Sequence, residues 1–160
     1  NGLIATYTMD GVTVMTVSAY SSAIKIKSCT IDGGYNRSIQ LGKFNVRDIN
    51  PTSTNVPFTL FLACQADSIP VFVQFDPLTG SNGDGLLNVD SSVAAPAQGV
   101  AVEIVNAYSM TPLKFSQEIK YHINSETSVA IPLIARYKRT SATITPGKAN
   151  AGMTITISER

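Results

Sequence analysis

The sequence predicts an all-β fold built as an antiparallel sandwich, and three observations carry that expectation. Apolar and polar residues alternate with a period of two through most of the chain; clusters of Gly, Asn, Asp and Pro interrupt the runs at spacings of roughly ten residues; no helical period survives for long anywhere.

The runs follow in order. "AIKIKSCTI" alternates Ile24 and Ile26 with Lys25 and Lys27, and "SIQLGKFNV" alternates Ile39 and Leu41 with Gln40 and Gly42. "VPFTLFLAC" sets Phe58, Leu60 and Leu62 on one face. "PVFVQF" is apolar on both faces, as a strand between two layers would be. "GVAVEIVNA" separates Val100, Val102 and Ile104 from Ala101, Glu103 and Val105. "SVAIPLIARY" carries Val129, Ile131, Leu133 and Ala135, and the terminal "GMTITIS" is the cleanest alternation of all. The clusters "DGGYN", "DINPTSTN", "DPLTGSNGDG" and "ITPGKANAG" read as turns between them.

At 160 residues the chain fits one domain with a real core, and no repeat or low-complexity tract divides it. Twelve basic against 11 acidic residues, with only 14% charged, leave no electrostatic footprint for nucleic acid or an anionic membrane. Neither a long apolar run for membrane insertion nor the layout of a signal peptide is present, so an exported chain would already have lost its leader. Cys29 and Cys64 are too few for a zinc cage; two buried thiols or one disulfide both fit. A bond between them would close a loop of about 35 residues and stabilise the fold by roughly 4 kcal/mol on the chain-entropy account.

Motifs for chemistry are weak. His122 is the single histidine, so imidazoles cannot assemble a metal cluster, and an exposed strand position is the plainer reading. GxSxG, HExxH, GxGxxG and P-loop patterns do not occur, and the acidic residues are scattered, so the sequence does not read as an enzyme and implies no cofactor. Asp76, Asn82, Asp84 and Asp90 of "DPLTGSNGDGLLNVD" could supply oxygens to calcium. Gly80 stands where an EF-hand needs an acid, however, and "NGDG" suits a hairpin connection. The metal reading is therefore set aside, as is the formal glycosylation triplet Asn36-Arg37-Ser38.

Taken in order, the pieces resemble a known family. A cysteine precedes "TIDGGYNRSIQLGKF" and a second closes "VPFTLFLAC". Leu41-Gly42 lies between them; Ala97-Gln98-Gly99-Val100 and Ala135-Arg136-Tyr137 follow, then Gly147, fourteenth from the end, "ANA" at Ala149 to Ala151, and the alternating last strand. This arrangement resembles the pilin domain of chaperone–usher fimbriae, the type 1 and P pilus kind, over residues 23–160. It departs from the family at Glu159, where a tyrosine is usual.

The resemblance implies an incomplete immunoglobulin-like Greek-key sandwich that lacks its last strand and is completed by a donated one. It implies a disulfide between Cys29 and Cys64. It makes Met153, Ile155 and Ile157, introduced by Gly147, the groove-edge strand that pairs first with a chaperone and later with a neighbouring subunit. The partners implied are a periplasmic pilus chaperone, an outer-membrane usher and other fimbrial subunits, with no nucleic acid and no membrane insertion. The implied location is the cell surface, reached through the periplasm.

Residues 1–22 form an N-terminal extension open to three readings. Leu3, Ala5, Tyr7, Met9 and Gly11 alternate as a strand donated to a neighbour would. The segment also resembles the final strands of the sugar-binding domain of a two-domain tip adhesin, which would make the chain the anchoring half of an adhesin. An ordinary hairpin on the domain's own sheet, or one filling its own groove, is the third. The function expected is thus a structural subunit of a bacterial fimbria assembled by donor-strand exchange. The alternatives are a truncated tip adhesin or a self-complete secreted immunoglobulin-like binding module. Against a sugar pocket, tryptophan is absent and the six tyrosines are dispersed.

Overall fold

A computed structural model describes residues 2–9, 12–19, 29–31, 38–64, 70–122 and 127–159. Ten strands occur among them: β1 (Gly2–Met9), β2 (Val12–Ala19), β3 (Cys29–Ile31), β4 (Val56–Cys64), β5 (Val71–Pro77), β6 (Leu86–Asn88), β7 (Val100–Asn106), β8 (Glu118–His122), β9 (Ser128–Arg139) and β10 (Met153–Glu159). They form a five-stranded sheet of order β3-β4-β9-β7-β6, a three-stranded sheet of order β10-β5-β8, and a separate pair β1-β2. Every ladder is antiparallel.

The core lies between the two larger sheets, and period-2 alternation explains which side chains reach it. Leu60 and Leu62 of β4, Ile131 and Leu133 of β9, Val102 and Ile104 of β7, and Val71, Val73 and Phe75 of β5 are all buried in one cluster. On β9 the inward residues are those the alternation selects, Val129, Ile131, Leu133 and Ala135. Cys29 stands opposite Cys64 in the β3–β4 register and is bonded to it.

Three expectations are corrected or bounded. Residues 38–45 make no strand despite the alternation of Ile39 and Leu41, because among the described residues no strand lies alongside to complete a ladder. Gly42, at φ +91°, also takes the chain out of the extended region there. β5 is central within its sheet but covered on one face only, so Phe72 and Gln74 are half-buried. Of "AIKIKSCTI", residues 23–28 lie outside the described residues, as do Asn36 and Arg37.

The outer face of the five-stranded sheet holds a charged group that alternation alone does not suggest. Glu103, only 2% exposed, receives Arg136 Nε and Lys138 Nζ at 2.6 Å each. Arg136 faces it directly across the β7–β9 ladder and also donates to Asn55 Oδ1 at 3.2 Å. Burial alone would raise the Glu103 pKa; the hydrogen bonds from Lys138 and Arg136, with their charges, outweigh it and hold the carboxyl below its ordinary 4.5.

Candidate functional site

A groove of about 1460 Å³ opens beside β10, larger than the usual run of small-molecule pockets. Its floor is the inner face of the five-stranded sheet, including Phe58 and Leu60 of β4, Val102 and Ile104 of β7, and Ala135 and Tyr137 of β9. One wall is the run 38–44 with Ile31; the other is residues 146–152 continuing into Met153 and Ile155 of β10. The floor is progressively uncovered along β4: Leu62 is 1% exposed, Leu60 5%, and Phe58 only half-buried. Lys43 and Lys148 are the charged residues that line it and, with Ser38, Gln40, Asn150 and Thr154, give it polar walls over an apolar floor.

Both walls present backbone that is unpaired among the described residues. β10 pairs with β5 from Met153↔Pro77 to Glu159↔Val71 and has no strand on its other side among the described residues. Leu78 N donates to Gly152 O at 2.9 Å, which makes Gly152 and Leu78 a hydrogen-bonded pair. Antiparallel ladders alternate, so Thr154, Thr156 and Ser158 bond to β5, while the N–H and C=O groups of Met153, Ile155 and Ile157 point along the opposite edge, toward the groove. The alternation is seen again on β5, where Phe75, opposite Ile155, uses its carbonyl to accept from Ser116 N on the β8 side. Across the groove, the 38–44 run makes no backbone–backbone hydrogen bond among the described residues.

Side chains of β10 divide accordingly. Met153, Ile155 and Ile157 are half-buried and pack on the core, whereas Thr154 and Thr156 are exposed. Gly147 lies in the wall before β10. A Cβ there would sit 2.5 Å from the Ala95 carbonyl oxygen and 2.6 Å from the Ala97 amide nitrogen, a contact only glycine avoids. Next to it, Lys148 N donates to Ala95 O at 2.9 Å and Lys148 O accepts from Ala97 N at 2.8 Å, which fixes the wall against the 95–97 segment. At one end of the cleft Tyr137 spans it. Its ring stands edge-on to Phe44 of the first wall and its hydroxyl donates to Ala149 O of the second at 3.4 Å; burial raises its pKa.

The structure thus gathers Gly147, Met153 and Ile155 on one wall, with Ile157 farther along the same strand and the Cys29–Cys64 bond at the β3 edge of the facing sheet. Leu3, Ala5, Tyr7 and Met9 fall on β1, which is paired with β2, and Gly11 lies outside the described residues. Of the oxygens weighed for calcium, the three aspartates' are separately engaged: Asp76 accepts from Gln74 and Ser116, Asp84 from Lys114, and Asp90 from Ser92. His122 ends β8, opposite Val71. The 38–44 wall and the Tyr137 clasp were not foreseen. Gly42 inside an alternating run was the available signal for the first, and nothing in the sequence announces the second.

Comparison with known proteins agrees with this geometry. The family model described as "Fimbrial protein" matches residues 18–158. A "Fimbria adhesin protein" of Klebsiella pneumoniae is 28% identical over 88% of this chain and 48% of its own length, so the chain spans about half of that relative. The fimbrial-like protein YdeS of Escherichia coli (strain K12) is 27% identical over 92% of this chain and 91% of its own. Among solved structures, the CupB6 tip adhesin of Pseudomonas aeruginosa matches at TM-score 0.66 and 22% identity, over 81% of this chain and 38% of that one. The P pilus rod subunit PapA matches at TM-score 0.65 and 16% identity, over 82% and 99%. At such identities these structures speak to the fold, an all-β sandwich of the pilin type. The match over 18–158 makes the further point that this chain belongs to the fimbrial protein family.

Proposed function

We propose that the groove accepts an extended strand from another polypeptide, and that the chain enters a surface fimbria by donor-strand exchange. One observation carries the reading: two backbone edges, β10 and the 38–44 run, that have no partners among the described residues flank a cleft whose apolar floor is the core. A single strand laid between them would satisfy both edges and cover the floor. If five of its side chains entered, at roughly 1.5–3 kcal/mol each, gross burial would approach about 10 kcal/mol, comparable to the stability of a whole domain. It would also close two edges that otherwise invite aggregation.

In this reading the first strand comes from a periplasmic chaperone, and a neighbouring subunit replaces it at an outer-membrane usher. The work is done by backbone amides and apolar side chains, without catalysis or cofactor. The disulfide holds β3 against β4 while the cleft is unfilled. Ile155→Pro tests this, because it removes an N–H aimed at the incoming strand while leaving the bonds to β5 at Thr154 and Thr156. The variant should fail to enter fimbriae where Ile155→Ala succeeds; equal incorporation of the two would count against the proposal.

A second reading is favoured by the K. pneumoniae relative, of which this chain spans about half. There the chain would serve as the anchoring half of an adhesin, with the same groove doing the anchoring. Receptor recognition would then belong to sequence beyond the part shared with this chain, and a glycan-binding assay on this chain should show no binding.

A further inference from the structure

A strand that fills the groove is bonded on both sides, so a donor must arrive with both of its edges free. β1 does not meet that condition. One of its edges is occupied by β2 along the whole strand, from Gly2↔Ala19 to Met9↔Val12. Donation would therefore exchange one ladder for another. It would also leave "VTVMTVSA" of β2, rich in β-branched residues, without the strand it pairs with.

We infer that β1 and β2 work as a closed strand pair and not as a donated strand, so that this chain takes up a strand at its groove without giving β1 to a neighbour. The inference rests on the strand-accepting reading of the groove. Exchange running through this segment stops at this chain, and any subunit beyond it is held by other means.

Locking the pair tests the inference in the full chain. Thr6 stands opposite Thr16 and Tyr7 opposite Met15. Adjacent pairs alternate between hydrogen-bonded and non-hydrogen-bonded, and the closer, non-hydrogen-bonded one suits a disulfide, so T6C/T16C and Y7C/M15C are both made. In cells that assemble the fimbria, at least one variant should form the intrachain bond, detected by peptide mapping, and enter fibres at the wild-type level, while Ile155→Pro is lost from them. Loss of fibres from both the locked chain and Ile155→Pro would show β1 to be a donor, overturning the inference and leaving the groove reading intact. Absence of the intrachain bond in both variants would refute the strand pair itself. Incorporation of Ile155→Pro equal to that of Ile155→Ala would remove the groove reading, and the inference with it.

Discussion

Tyr137 stands edge-on to Phe44, ring centroids 5.8 Å apart at 79°, so a floor residue of β9 grips the wall formed by 38–44. Among the described residues that wall has no ladder of its own, which makes the ring pair one of the contacts that hold it beside the cleft. Phe44→Leu and Tyr137→Leu should show a coupling of about 1 kcal/mol in a double-mutant cycle read by chemical denaturation. Tyr137→Phe keeps the ring and should retain most of it. Additive single effects would mean that the rings merely lie close together.

The Glu103 cluster predicts a pH dependence. The folded-state pKa lies below the ordinary 4.5, so the carboxylate contributes stability that is present above that value and lost as pH falls through the lower folded value. Glu103→Gln should cost about 2 kcal/mol near neutrality, since it discards hydrogen bonds between charged groups. The gap between variant and wild type should narrow as pH drops below 4.5, measured by denaturation across an acid series. A constant gap would place the effect in packing.

Removing the disulfide tests what holds β3 in place. Cys29 and Cys64 are 35 residues apart, and β3 is a three-residue edge strand. The pair Cys29→Ala with Cys64→Ala should lose about 4 kcal/mol of stability in guanidinium unfolding. Wild type under reducing conditions should behave alike.

Gly147→Ala places a methyl group against the backbone of Ala95 and Ala97. The wall must shift or the 95–97 bridge must open, at a cost of about 1–3 kcal/mol in thermal or chemical unfolding. Gly83→Ala is the matched control for this clash, because its position has no atom within 4 Å, although its positive φ adds some strain of its own.

Much of this architecture was legible in the residues. β4, β9 and β10 follow the alternation because each has a neighbour to pair with and one face on the core, whereas β7 is buried on both faces from Val100 to Val105. Ile39 and Leu41 show the limit of that logic: alternation states that a strand can form, and a partner decides whether it does. "PVFVQF" misled in another way, since Phe72 is apolar yet half-buried on an outer face. Met153, Ile155 and Ile157 were singled out as a groove edge only through family resemblance. The hydrogen-bond phase of that edge depends on which residue of β5 lies opposite, and that is a property of the assembled sheet. Glu103 looked like an ordinary polar alternate in β7; its two cations come from β9, far along the chain.

The central claim is that another molecule completes the edge of β10, and amide hydrogen exchange resolved by residue measures this directly. In the isolated chain, Thr154 and Thr156 should be protected by β5 while Ile155 and Ile157 exchange quickly; in assembled fimbriae all four should be protected. Ile155 and Ile157 as slow as their neighbours in an isolated monomer, or still fast in the fibre, would contradict the account.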